Sequence, residues 1–167
     1  MKRKVLLSIL CTILSLSATA QTKIIAHRGF WETENSAQNS LSSLYKANEI
    51  GCYGSEFDVW RTQDGVLVVH HDSEINSTTI EQSPYEKIKN CKLSNGEVLP
   101  TLEQYLVHAK NCPELQLILE IKTKKSAPEW IKVLVDEIVK TVEKHKLANR
   151  TDYIAFSKEV CQELVRI

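Results

Sequence analysis

The sequence predicts an α/β fold built on a parallel sheet. Three observations lead there. Short strand-like runs alternate with stretches of helical periodicity, the β-then-α repeat of parallel sheets. The run Val66–His70 is almost wholly apolar, as suits a strand covered on both faces. Polar residues collect where strand-like runs end, and parallel α/β folds bind ligands at the carboxyl ends of their strands. A (β/α) barrel and an open doubly wound sheet both accommodate the pattern. No Gly-x-Gly-x-x-Gly or Walker loop follows any strand, which counts against a nucleotide-binding sheet.

The first twenty residues lie outside that fold. Lys2, Arg3 and Lys4 form a basic start, Val5 to Leu16 are mostly apolar, and Ala18-Thr19-Ala20 supplies a small-x-small cleavage site before Gln21. This is the pattern of a secretory signal peptide over 1–20, with export to the periplasm or the exterior, and the folded domain is expected over 21–167. The apolar run is well short of the roughly 20 residues that span a bilayer, and no later segment could cross one.

From Gln21 the elements follow in order. Ile24–His27 reads as the first strand. Gln38–Ile50 is a helix with Leu41, Leu44, Ala47 and Ile50 on one face, ended by Gly51 and Gly54. Gly54–Trp60 is the second strand, Thr62-Gln63-Asp64-Gly65 a turn and Val66–His70 the third strand. Between Ser73 and Glu97 the pattern is irregular. It holds one short helix, with Ser83 as cap, Pro84 first and Glu86 completing a capping box. Thr101 and Gln104 form a second box, opening a helix that buries Leu102, Tyr105, Leu106 and Ala109. Leu115–Lys122 is the fourth strand. Ser126 and Glu129 bracket a third box ahead of a long helix striped by Ile131, Leu134, Val135, Ile138 and Val142. Tyr153–Phe156 is the fifth strand, and Ser157 caps a last helix.

Composition bounds the function classes. The 167 residues are 43% hydrophobic and 25% charged, ordinary globular values. The 21 basic and 21 acidic residues balance, and loss of the three basic residues of the signal leaves 18 against 21, a net of about −3. No basic patch suggests nucleic acid. Cys52, Cys91, Cys112 and Cys161 are spaced too widely for a zinc or redox motif. They are expected as buried or free thiols, and Cys91–Cys112 is the one disulfide pair worth testing in an exported chain. Nothing fixes the oligomeric state.

The polar strand ends carry the chemistry. Glu56 and Asp58 stand two apart on one strand, so their carboxylates share a face. Burying two like charges side by side is costly without a cation, and oxygen donors suit Mg²⁺, Ca²⁺ or Mn²⁺. The competing reading is two solvated charges on an exposed strand. Glu120 interrupts an apolar strand with Lys122 on its own face. It reads either as a third ligand to the same ion or as half of a Glu120–Lys122 ion pair. His27 and His71 each follow an apolar strand and could move protons at a phosphate, as general acid and base. His70 competes with His71 on the opposite face of its strand. Arg28 offers a fork for phosphate oxygens, or a surface ion pair.

Taken together, Ala26-His27-Arg28-Gly29, Gly54-Ser55-Glu56-Phe57-Asp58-Val59, Thr62-Gln63-Asp64-Gly65, Val68-Val69-His70-His71-Asp72, Leu99-Pro100-Thr101-Leu102-Glu103 and Leu119-Glu120-Ile121-Lys122 resemble the glycerophosphodiester phosphodiesterase family, in order, over about 24–125 and loosely to 157. The resemblance implies a TIM-type (β/α) barrel and a divalent cation, Ca²⁺ or Mg²⁺ with Mn²⁺ also compatible, on Glu56, Asp58 and Glu120. It implies catalytic histidines at His27 and His71, and phosphate contacts from Arg28 and Lys122. The family's Pro-Glu-Asn-Thr falls on Ala37-Gln38-Asn39-Ser40, so Gln38 replaces a glutamate, and Glu34-Asn35 is a decoy. Five strands and 167 residues are short of an eight-stranded barrel of about 250 residues. The expectation is therefore a barrel truncated after about five β/α units.

The activity this implies is hydrolysis of a glycerophosphodiester, a small molecule, to sn-glycerol 3-phosphate and an alcohol. Two alternatives stand beside it: a related phospholipase of the phosphatidylinositol-specific or sphingomyelinase D kind, and an inactive fragment that binds a phosphate ligand.

Overall fold

The structure, a computed structural model, describes residues 22–167; the expected signal peptide, with Gln21, lies outside the described residues. Four parallel strands form its centre: β1 (Ile25–Ala26), β2 (Gly54–Arg61), β6 (Gln116–Ile121) and β7 (Thr151–Ile154), in the order β1-β2-β6-β7. A doubly wound sheet reverses its strand order at a switch point. This order advances without reversal, so right-handed crossovers place every helix on one face, the arrangement of a (β/α) barrel.

Three strands depart from the expected repeat. β3 (Leu67–Val69) runs antiparallel to β2, with Val59 opposite Val69 and Arg61 opposite Leu67. The reason was present in the turn at 62–65: a hairpin can only return antiparallel, whereas a parallel partner needs a crossover of a dozen or more residues. β4 (Glu74–Ile75) and β5 (Thr78–Thr79) make a small hairpin of their own within the irregular stretch.

The helices are α1 (Leu41–Glu49), α2 (Leu102–Ala109), α3 (Pro128–Lys144) and α4 (Lys158–Arg166). Leu44 and Ala47 of α1, Tyr105 and Leu106 of α2, the α3 stripe and Val160 of α4 pack on Phe57, Val59, Leu117, Leu119 and Ile121. These are alternate residues of β2 and β6, so one face of the sheet is dry and mostly apolar. Trp60, Val68, Ile75, Ile80, Ile88 and Leu99 form a second cluster.

The caps explain several boundaries. Thr101 and Gln104 form the expected box at α2. α1 starts at Leu41, later than expected, because the Ser40 hydroxyl accepts from the Ser43 N–H and ends the loop there. Gln38 and Asn39 therefore stay in that loop. At α3 the box is absent: Ala127 holds the cap position and Pro128 opens the helix with its preset φ. Ser83 caps no helix either; Ile80–Gln82 and Tyr85–Lys87 are single 3₁₀ turns without side-chain caps. The last strand lies at 151–154 rather than 153–156, leaving Phe156 exposed. All four described cysteines are free thiols, so the pairing of Cys91 with Cys112 is not formed. No described helix is long and apolar enough to cross a membrane.

Candidate active site

The other face of β2 and β6 is charged. Asp58 lies directly opposite Glu120 in register, and Glu56 stands two residues before Asp58 on the same side. Each offers an oxygen within 4.8 Å of the others, and all three carboxylates are buried. Lys122 Nζ lies 2.7 Å from Glu120 Oε1 and 3.1 Å from Asp58 Oδ1. Burial opposes its charge, but Glu120 and Asp58 outweigh that and hold Lys122 above the usual lysine range. Sequence left metal ligand and ion pair as alternatives for Glu120; its geometry provides for both.

One ammonium against three carboxylates leaves about two negative charges uncompensated in a site of low dielectric. Burial, then the Asp58 charge, pushes Glu56 up to about 7, against the pull of the Arg28 N–H. Apart from the Lys122 contacts, Glu56 Oε1, Asp58 Oδ1 and Glu120 Oε1 have no hydrogen-bond donor. An all-oxygen, converging, electron-rich set of this kind fits a hard divalent cation. Asp58 is held from behind. The Asn39 amide donates to Asp58 Oδ2 at 2.8 Å while the Asp58 N–H donates to Asn39 Oδ1 at 3.0 Å. Asn39 achieves this from a left-handed backbone, φ 60°.

The histidines and Arg28 reach this point by topology. β1 pairs with the start of β2 and β3 with its end, on the edge opposite β6. They run toward each other, so the residues that follow both strands meet beside Glu56 and Asp58. His27 Nε2 is 3.9 Å from Glu56 Oε2, and its side chain is largely exposed. Arg28 turns at φ 59°, its N–H donating to Glu56 Oε2 at 2.7 Å. Gly29 follows at φ 76°, where a Cβ would fall 2.3 Å from Ser43 Oγ. Only glycine lets the turn lie against α1. Arg28 Nη2 lies 2.7 Å from His71 Nε2, and Nη1 donates to Gln38 Oε1 at 2.6 Å. The Trp60 indole N–H donates to the His71 carbonyl at 3.1 Å and fixes the end of β3. His70 instead contacts the Glu74 carbonyl through Nε2, at 3.2 Å. His71, not His70, joins the cluster.

Open clefts of about 350 and 290 Å³ flank the wall made by His71 and Asp72. One reaches Trp31 and Gln38, the other Glu120 and Lys122. The arrangement can hold a cation and an anion together, with two imidazoles at hand.

The model of the glycerophosphoryl diester phosphodiesterase family matches residues 27–166. The chain belongs to that family. A glycerophosphodiester phosphodiesterase from Parabacteroides distasonis, known from its crystal structure, is 51% identical with a TM-score of 0.84, over 86% of this chain and 60% of that one. Among curated relatives, the glycerophosphodiester phosphodiesterase of Bacillus altitudinis is 34% identical over 111 residues, 64% of this chain and 42% of the relative. That of Caldanaerobacter subterraneus subsp. tengcongensis is 35% identical over 94 residues, 49% of this chain and 38% of the relative. The chain thus spans about two-fifths of the length of these curated glycerophosphodiester phosphodiesterases, and its sheet is a partial barrel of the family's type.

Each site residue singled out from the sequence falls in this one cluster. Sequence reasoning missed the Asp72 contact to His71 and the support from Trp60. Asp72 is adjacent to His71 in the chain, which was signal enough; Trp60 gave none, because a tryptophan on a strand reads as core.

Proposed function

We propose that this chain carries the metal- and phosphate-binding centre of a glycerophosphodiester phosphodiesterase, hydrolysing a glycerophosphodiester to sn-glycerol 3-phosphate and an alcohol. One observation carries the reading: in a chain of this family, three buried carboxylates that share a single lysine, Lys122, lie beside Arg28 and two histidines. Glu56, Asp58 and Glu120 would hold the divalent cation, Ca²⁺, Mg²⁺ or Mn²⁺, which when bound neutralises charge on the phosphate oxygens. Arg28 and Lys122 hold further phosphate oxygens and stabilise the charge that builds up there. His27 and His71 divide the proton transfers, one deprotonating the nucleophile and the other protonating the leaving alcohol. Family membership favours this reading over a lipid-tailed phospholipase.

The experiment is release of sn-glycerol 3-phosphate from glycerophosphocholine. The reading predicts loss of turnover on chelation of divalent ions, and a fall of about 10²–10⁴-fold in His27→Ala and in His71→Ala. Wild-type turnover in either variant contradicts it.

Two further parts of the proposal concern the whole protein. The outer edges of β1 and β7 are unpaired among the described residues, so the active form carries further barrel strands against them. A monomeric, cooperatively melting and active 21–167 contradicts this. Export is proposed from Lys2–Lys4 and Ala18-Thr19-Ala20; mass spectrometry of the exported protein, starting at Gln21, checks it.

A further inference from the structure

Four side chains of the site form an unbroken chain: Gln38, Arg28, His71 and Asp72. Gln38 Oε1 accepts from Arg28 Nη1 at 2.6 Å, Arg28 Nη2 meets His71 Nε2 at 2.7 Å, and His71 Nδ1 meets Asp72 Oδ1 at 2.8 Å. The chemistry of the links fixes where the proton on the ring must sit. A guanidinium has N–H donors and no acceptor, so His71 Nε2 accepts and carries no proton. A neutral imidazole with a bare Nε2 has its proton on Nδ1, and that N–H donates to Asp72. A doubly protonated ring would set donor against donor at 2.7 Å. Asp72 suits the acceptor role, because the His71 hydrogen bond holds its carboxyl below the usual carboxylate range.

We propose that Gln38 and Asp72 are positioning residues that hold Arg28 as a cap on a proton-free His71 Nε2, and that a phosphate group arriving at Arg28 lifts the cap. This rests on the reading of Arg28 as the phosphate contact. Arg28 is equipped for the exchange. Its Nε–H is buried with no acceptor, so the guanidinium has one donor unmet that a phosphate oxygen can take. Gln38 is neutral. It aims the guanidinium through one hydrogen bond without cancelling its charge, whereas a carboxylate in its place would compete with the incoming anion. Asp72 has a largely exposed side chain, so nothing in the core depends on it. Once uncovered, Nε2 can only accept a proton, so His71 enters any reaction as the base.

The test uses ¹⁵N NMR of the His71 ring and the Arg28 guanidinium in the full chain, with inorganic phosphate as probe. Wild type is expected in the single Nδ1–H form, with Nε2 hydrogen-bonded to Arg28. Phosphate is expected to shift the Arg28 and His71 Nε2 signals together along one saturation curve. Asp72→Ala and Gln38→Ala should each bring in the Nε2–H form. Gln38→Glu should keep the wild-type tautomer and weaken phosphate binding about tenfold. A merely structural role for Gln38 or Asp72 would leave the tautomer unmoved. A wild-type ring protonated on Nε2 overturns the proposal. So does an Arg28 response to phosphate without His71, no response of either, or an unchanged tautomer in both alanine variants. None of these readouts needs turnover, so a protein that lacks diesterase activity yet shows the coupled shifts contradicts the proposed function and not this device.

Discussion

β2 and β6 have two faces with opposite designs. Phe57, Val59, Leu117, Leu119 and Ile121 point to the helices and are shielded from water on all sides. Glu56, Asp58 and Glu120 alternate with them along the same strands and are also buried, yet they are like charges with one lysine among them. One residue step separates a group that stabilises the fold from one that costs it stability. The lesson is that the apolar face holds the strands in the register that forces the acids together.

Substitutions on the two faces should therefore fail in different ways. The largest effect is expected on the charged face: Asp58→Asn and Glu120→Gln each lower turnover of glycerophosphocholine by about 10³-fold, while the thermal midpoint of the metal-free protein stays level or rises. A parallel loss of stability would break the comparison. On the apolar face, Phe57→Ala costs about 3–5 kcal/mol in denaturant unfolding, because Phe57 is fully buried and stacks on Tyr105 with ring centroids 4.4 Å apart. Its surviving folded molecules should bind divalent ions as wild type does.

Next comes the pH dependence of the metal-free protein. Glu56 titrates near 7 when folded and near 4.5 when unfolded. The stability linked to this group is complete below about pH 4.5 and is lost as pH rises through 7. Glu56→Gln should flatten the unfolding free energy across that window. A slope as steep as the wild type's would show that the Glu56 charge is not the cost we assign to it.

Smaller effects follow at the supports. Asn39→Ala removes the bond to Asp58 Oδ2 and should weaken divalent-ion affinity by 10–100-fold with little change in fold. Thr101→Ala removes one side of the α2 capping box and should cost about 1 kcal/mol, with metal affinity unchanged.

Much of this was legible in the sequence because the period-2 alternation of a strand is written in it directly. Glu56 and Asp58 between Phe57 and Val59 announce a two-faced strand, and Glu120 within an apolar run announces a second. Motif order brought His27, Arg28, His71 and Lys122 to the same place. The failures share a physical cause: local signals do not state pairing partners. Val66–His70 is apolar enough for a central strand, yet the turn at 62–65 makes it an antiparallel edge on β2. Ser83 and Ser126 have the composition of caps, but each following helix starts one residue later, with Pro84 and Ala127 in the cap positions. The Arg28–His71 contact depends on two strands meeting end to end along one edge of β2, which no window of sequence contains.

The central claim is that the three carboxylates form one divalent-cation site. Isothermal titration of the metal-free protein above pH 7 with Mg²⁺, Ca²⁺ and Mn²⁺ tests it most directly. The account predicts one saturable site in wild type, lost in Asp58→Asn and in Glu120→Gln. Folded wild-type protein that binds none of the three ions, or variants that bind them undiminished, would contradict it.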